Sequence, residues 1–245
     1  MTISSPQNER LKEIRKLARR RSREQAGRFV AEGEDLLAAA DAAGWPALER
    51  YCAAGSGLDG VEVEADLLAS VSQLGSGTRA LAVYEQRWAE APAGPLCVAL
   101  HGISDPGNVG TILRSALAFG ASSVALGPDC ADPYGPKAVR ASMGALFAVP
   151  LARFANSDAL PGTTVALDAH GGEALADAVA AVEGPLTLVV GAERAGLPDE
   201  VLAACDRTAR IPIDSESLNA AMAATVALYE VTRGAVAAEH RMPPA

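Results

Sequence analysis

Cysteine, histidine and aromatic residues are all scarce in this chain of 245 residues. The four cysteines, Cys52, Cys97, Cys130 and Cys205, stand 45, 33 and 75 positions apart, which excludes a dense disulfide framework and paired metal-ligand motifs. His101, His170 and His240 show no ligand spacing, so no metal is expected. Two Trp, four Tyr and four Phe are too few for an extensive base-stacking surface. No apolar run reaches the length of a membrane span, and Met1 is followed by polar, then basic sequence without a signal-peptide core. The expectation is a soluble, reduced, cytoplasmic protein with no membrane contact. What the chain has in quantity is apolar residues, 49% against 21% charged, a globular balance. Its length suits one large domain or two modest ones.

Charge is unevenly placed. The net charge is −9, yet residues 1–28 carry nine basic side chains and three acidic ones, a net of +6. Residues 29–245 carry 12 basic and 27 acidic residues, a net of −15. Such asymmetry suits a basic arm that meets a polyanion; it also suits a solvated helix on an otherwise acidic surface. Leu11, Ile14, Leu17 and Ala18 fall at helical spacing and leave Lys12, Arg15, Lys16 and Arg19 largely outside that stripe.

Strand and helix patterns alternate twice along the chain. The first alternation has a short strand at Phe29-Val30 and a helix from Glu32 to Ala43 closed by Gly44. Apolar stretches at 50–53 and 60–63, a helix over 65–74 and a strand over 79–84 complete a small α/β unit. Residues 88–95, rich in proline, glycine and alanine, read as a linker. The second alternation places strands at 96–101, 122–126, 163–167, 186–190 and 207–211, with a short extended segment near 149–152. Helices are expected at 109–119, 136–146, 173–182, from Pro198, and over 217–238. The expected architecture is α/β, a mostly parallel sheet with helices on both faces, divided as 1–88, a linker over 89–95, and 96–245.

Open parallel sheets bind ligands at the carboxyl ends of their strands, and three strand-to-helix loops stand out there. In the first, Asp105-Pro106-Gly107 makes a turn, Asn108 is placed to cap the following helix, and Arg114 offers fork-shaped donors to a phosphate or sugar. A plain turn with a surface arginine fits this segment equally well. In the second, Gly191 allows close approach to the backbone and Glu193 sets a carboxylate beside a cationic ligand; a solvated turn is the alternative. It has neither the Lys-Ser/Thr of a P-loop nor dinucleotide glycine spacing. In the third, Ser217 and Asn219 supply polar groups at a helix start, which locally reads as a capped helix.

Together, in this order and spacing, the loops resemble the three motifs of the SpoU family of RNA ribose 2′-O-methyltransferases, part of the SPOUT group. The matching residues are Asp105-Pro-x-Asn108-x-Gly110-x-Ile112-x-Arg114 with Ala118-Phe119-Gly120; Val190-Gly-x-Glu193-x-x-Gly196; and Ile211-Pro212 followed by Ser217-Leu218-Asn219. Arg140-Ala-Ser-Met-Gly144 is similar to the segment between the first two motifs. Arg21-Ser-Arg23, Phe29 and Glu32-Gly33 are similar to a separate substrate-binding domain. Four residues separate Pro212 from Ser217, a shorter loop than the family's pattern.

The resemblance implies a C-terminal trefoil knot, S-adenosylmethionine as cofactor, and a homodimer whose contact includes the alanine-rich final helix. It implies transfer of a methyl group to a ribose 2′-hydroxyl of RNA, with ribosomal RNA favoured over transfer RNA. Arg114 would bind the neighbouring phosphate and stabilise developing oxyanion charge, while Asn108, Glu193, Ser217 and Asn219 orient the reactants. Val190, Gly191, Ala192, Ile211 and Leu218 would hold the cofactor. RNA phosphates would meet Arg15, Arg19, Arg20, Arg21 and Arg23, with Lys137 and Arg140 nearer the active site. His101, at a strand end and outside the matched motifs, is a candidate general base. The rival readings are a relative that binds RNA without catalysis, a transfer RNA methyltransferase, a SPOUT enzyme that methylates a base nitrogen, against which the Asn108 and Arg114 pair favours ribose, and a dinucleotide enzyme, disfavoured by its missing glycine fingerprint.

Overall fold

The computed structural model describes residues 2–73, 77–215 and 217–239, so His240 and Leu74 lie outside it. In chain order the first elements are α1 (Glu9–Leu17), α2 (Arg20–Ala26), β1 (Arg28–Glu32), α3 (Glu34–Ala42), β2 (Glu49–Ala53), β3 (Val61–Val63), α4 (Ala65–Val71) and β4 (Ala80–Glu85). Then come β5 (Leu96–Leu100), α5 (Pro106–Ala118), β6 (Ser123–Leu126), α6 (Pro136–Ala141), α7 (Ala145–Ala148) and β7 (Leu151–Arg153). The remainder is β8 (Thr163–Leu167), β9 (Glu173–Ala174), α8 (Leu175–Ala180), β10 (Leu186–Val190), α9 (Asp199–Ala204), β11 (Arg207–Arg210) and α10 (Ala220–Glu239). The chain forms two compact units, one of residues 1–87 with 132–148 and the other of 88–131 with 149–245. Residues 132–148, which the sequence pattern assigned to the second domain, pack with the first.

In the first unit β4 runs antiparallel to both β1 and β2, and β3 lies parallel beside β2. The stripe Leu11, Ile14 and Leu17 is buried against Tyr51, Val63, Leu68 and Leu81. The basic segment is not one helix. Arg19 is extended (φ −94°, ψ 131°), which separates α1 from α2, and α2 ends at Gly27 in the left-handed region (φ 63°) that glycine tolerates best. Half of the chain's aromatics gather in one cluster: Phe29 lies 4.8 Å from Tyr134, Trp45 5.4 Å from Phe147, and Tyr84 5.1 Å from Phe147, between ring centres. Two of these rings come from the 132–148 segment.

That segment also corrects the single helix expected over 136–146. Met143 (φ 49°) and Gly144 (φ 90°) turn the chain between α6 and α7. A Cβ on Gly144 would stand 2.4 Å from the Cβ of Ala39 on α3, so glycine is needed for the close approach. Gly144 thus has a packing role within the first unit.

The second unit is a seven-stranded sheet in the order β7-β6-β5-β10-β8-β11-β9, parallel at every pairing. Strands β5 (LCVAL) and β10 (LTLVV) are buried at every position, as expected of strands covered on both faces. They lie side by side where the strand order reverses, with β6 and β7 to one side and β8, β11 and β9 to the other. Helix α10 packs on α5 and β10, with Ser115 and Thr225 joined hydroxyl to hydroxyl at 2.6 Å.

Candidate active site

The loops after β5, β10 and β11 hold the three motifs, and all lie in the second unit. After β5, Asp105 caps α5: its Oδ1 accepts from the Gly107 amide at 2.7 Å, and Pro106 occupies the first helical position, where no amide donor is missed. Asn108 is therefore not the cap expected from the sequence. It sits inside the first turn with its carboxamide free to reach across the site. Its Nδ2 donates to Glu193 Oε1, and its Oδ1 accepts from Asn219 Nδ2 at 3.1 Å. Asn219 Oδ1 in turn accepts from the Ala221 and Met222 amides at 2.9 and 3.3 Å, capping α10. One chain of hydrogen bonds thus links all three motifs.

Beside this chain, at the carboxyl ends of β8, β10 and β11, lies a cavity of about 560 Å³. Val190, Gly191, Ala192, Ile211 and Leu218 all line it, as do Glu193 and Ser217. Gly191 is small for a reason other than the expected ligand approach. A Cβ there would stand 2.4 Å from the carbonyl carbon of Gly196 and 2.6 Å from the Leu197 amide, so the chain's own loop fills that space. The loop is closed by paired backbone bonds between Ala192 and Gly196, at 3.1 and 2.9 Å, and Gly196 is left-handed (φ 65°).

Four polar side chains of the lining were missed from the sequence: Asp168, His170, Arg194 and Asp199. Asp168 follows β8 directly and its Oδ1 accepts from the His170 amide at 3.1 Å. The signal was available, since β8 was recognised and the residue after a parallel strand is where ligands bind. With Glu193, the lining holds three carboxylates against one arginine, a balance suited to a cationic ligand.

Arg114 does not line the cavity. It lies on the exposed face of α5 and has no ion-pair or hydrogen-bond partner among the described residues. His101 is half-buried, its backbone amide bonded to Val190 O at 2.9 Å, and it too stands outside the lining. Among the described residues no cluster of His, Cys, Asp and Glu forms a metal-binding group, and no helix is long and apolar enough to cross a membrane. The four cysteines are unpaired, and burial pushes the thiols of Cys97, Cys130 and Cys205 up.

The residues nominated for RNA lie in the first unit and divide sharply. Arg19 and Arg21 are exposed, as is Arg20, whose Nε donates to Glu24 at 2.9 Å. Arg15 is half-buried and bonds Pro6 O and Ser70 Oγ, both at 3.1 Å. Lys137 and Arg140 are exposed on α6. Arg23 is a correction. It is 4% exposed, its Nε and Nη2 meet Asp132 Oδ2 at 2.9 and 2.6 Å, and its Nη1 caps the carbonyls of Leu17 and Ala18, both at 2.8 Å. With its donors spent inside the protein, it is a structural arginine and offers nothing to a phosphate.

Residues 95–229 match the SpoU rRNA Methylase family, and residues 8–86 match the MRM3-like substrate binding domain. The chain is 32% identical to an uncharacterised tRNA/rRNA methyltransferase of Synechocystis over 95% of its own length and 93% of that protein's. It is 38% identical to the 23S rRNA (uridine-2′-O)-methyltransferase of Streptomyces viridochromogenes, over 53% of this chain and 50% of that one. An AdoMet-bound rRNA methyltransferase from Sinorhizobium meliloti superposes with a TM-score of 0.83 at 30% identity, covering 99% of both chains. That fold, with the trefoil knot of SPOUT enzymes, is the one the motifs implied. On the match of 95–229 and the near full-length relative, the chain belongs to the SpoU rRNA methylase family.

Proposed function

We propose that this protein transfers a methyl group from S-adenosylmethionine to a ribose 2′-hydroxyl of RNA in the cytoplasm, and that ribosomal RNA is the substrate. The observation that carries the reading is the Asn108–Glu193–Asn219 hydrogen-bond chain beside a cavity lined by the five expected cofactor residues. The cavity fits the cofactor in chemistry as well as volume: Val190, Ile211 and Leu218 offer apolar wall, and the carboxylates of Asp168, Glu193 and Asp199 outnumber the one arginine of the lining, Arg194, a balance that suits a cationic molecule better than a triphosphate. Bound S-adenosylmethionine supplies a methyl group on a positively charged sulfur. The chain's own residues do the rest. Asn108, braced from both sides, fixes the start of α5 against the Glu193 loop, and Ser217 presents polar groups to the same cavity. Positioning two bound reactants in line accounts for a large part of such a rate. Arg114, charged and without an internal partner, binds the phosphate beside the target ribose and stabilises the developing alkoxide.

The enzyme works as a homodimer on this reading. Met222, Val226 and Tyr229 recur on one face of α10 and are 62%, 41% and 56% exposed; Leu117 on the adjoining α5 is 47% exposed. Four large apolar side chains on two packed helices make a surface suited to a second copy. The first unit binds the RNA, through the exposed Arg19, Arg20 and Arg21.

Calorimetry should show S-adenosylmethionine binding by wild type and by Arg114→Ala. Mapping 2′-O-methylated sites in RNA from cells with and without the protein should show one ribosomal position lost, and Arg114→Ala should not restore it. Loss confined to transfer RNA would redirect the substrate, and cofactor binding without any lost site would leave an RNA-binding relative that does no chemistry.

A further inference from the structure

We infer that the first unit carries a subsite for a single unstacked RNA nucleotide, in a pocket of about 540 Å³ enclosed by α1, α2 and strands β1, β2 and β4. The inference rests on the RNA methyltransferase reading and adds to it a place, a chemistry and a base preference. The floor is fixed: Ile14, Leu17, Val83 and the ring of Tyr51 are buried, with the Tyr51 hydroxyl donating to Glu49 Oε2, while Leu48 stands at the mouth with 42% of its surface exposed. The mouth carries three cations, Arg10, Lys16 and Arg28. Arg10 lies 3.8 Å from Glu49, whereas Lys16 and Arg28 have no ion-pair partner among the described residues. Their spacing around an apolar depression suits a base that enters while its phosphates stay at the rim.

A concave pocket of this volume takes a base only when it is unstacked and unpaired, which favours a nucleotide already splayed out of a loop or bulge over duplex RNA. Tyr51, 1% exposed, offers no open ring face, which leaves the base contact to Leu48 and to the Arg28 guanidinium, which stacks on planar groups. Glu13 and Glu49 also line the pocket, and both are acceptors. The exocyclic amine of cytosine can donate two hydrogens to this acceptor pair, whereas uracil has only its single N3–H between two carbonyls that the carboxylates repel. None of the seven basic residues nominated from the sequence lines this pocket, so the subsite is distinct from the Arg19–Arg21 contact.

Fluorescein-labelled oligocytidine, oligouridine and an RNA duplex of equal length provide the test, titrated against the full chain. Wild type should bind oligocytidine more tightly than oligouridine, with the duplex weakest. Leu48→Ser and Arg28→Gln, both at exposed positions, should each weaken oligocytidine about tenfold, the worth of one lost base contact. Arg79→Gln, a cation of the same unit outside the pocket, should change it by less than about twofold. All variants should keep the wild-type circular dichroism spectrum and cofactor affinity. Wild-type-like oligocytidine affinity in both pocket variants, or equal affinity for duplex and single strand, overturns the subsite and leaves the methyltransferase reading intact. Failure of the wild type to bind either RNA or S-adenosylmethionine overturns both.

Discussion

Replacing Arg23 with alanine tests whether the first unit is complete without residues 132–148. The guanidinium makes two bonds to Asp132 and closes the last turn of α1 through Leu17 O and Ala18 O, so the truncation strands a carboxylate and two carbonyls at once. Both side chains are shielded, Arg23 at 5% and Asp132 at 12% exposure, so water does little to rescue the orphaned charge. Breaking a buried pair from one side costs about 3–5 kcal/mol, a large part of the ~5–15 kcal/mol that holds most domains folded. Urea denaturation followed by tryptophan fluorescence should show that loss, since Trp45 lies in the aromatic cluster of the same unit. The double variant Arg23→Met with Asp132→Asn should recover much of it, because no unpaired charge is left inside. A change below about 1 kcal/mol for Arg23→Ala would refute the reasoning. So would an Arg23→Ala protein of full stability and reduced RNA affinity, the outcome a phosphate contact requires. Replacing Arg19, Arg20 and Arg21 together should do the opposite, lowering RNA affinity with little effect on stability.

Asn108→Ala removes the middle of the hydrogen-bond chain; methyl transfer should fall about a hundredfold through misplacement of the loops, while cofactor affinity measured by calorimetry changes little. Gly191→Ala forces a Cβ onto the Gly196 backbone and should cost about 1–3 kcal/mol in thermal or urea unfolding, as overpacking does, with weaker cofactor binding. Asp206 accepts from the Thr164 amide and hydroxyl at 2.8 Å each, and these bonds hold its carboxyl below the usual range. The folded group's pKa is depressed, so its stabilisation is present above the unfolded value of about 3.9 and is lost as pH falls through the folded value. Asp206→Ala should accordingly lower the melting temperature at neutral pH, and the gap to wild type should close on acidification; a constant gap down to strongly acidic pH would contradict this. Met222→Glu should convert a dimer to a monomer in sedimentation equilibrium, and an unchanged mass would remove α10 from the interface.

The strands of the second unit were readable because burial on both faces leaves a simple mark, a short run of apolar residues ending at glycine, proline or a polar loop. LCVAL and LTLVV are such runs, and the motif loops follow from them. What the pattern could not show was set by partners far away in sequence. Arg23 looks like any other residue of a basic arm, and its charge partner, Asp132, lies 109 residues on. Helical periodicity over 136–146 gave no sign of a turn at Met143 and Gly144, because the reason for the turn is the neighbouring Ala39 on α3. Asn108 was assigned the local task its residue type favours, capping, when Asp105 three positions earlier had already taken it. The two-residue strand β9, inside a segment that reads as helix from Glu173, was missed because its only support is pairing with β11.

Asn219 explains why the final helix and the site behave as one object. A single side chain uses its oxygen to cap α10 and its amide to hold Asn108, so the start of α10 and the start of α5 are fixed to each other at the cavity. Farther along, Ser115 and Thr225 join the same two helices, and Phe119 meets Tyr229 edge to face at 6.3 Å. Rotating or sliding α10 would break these contacts together, and the first to move would be the carboxamide that supports Glu193. The exposed apolar residues Met222, Val226 and Tyr229 belong to this same helix. Covering them with a second copy would restrain α10 at positions that begin three residues after Asn219. Dimerisation and the ordering of the cofactor loops would then draw on one rigid element, and a helix rich in alanine serves it well because small side chains let α5 and β10 pack closely against it.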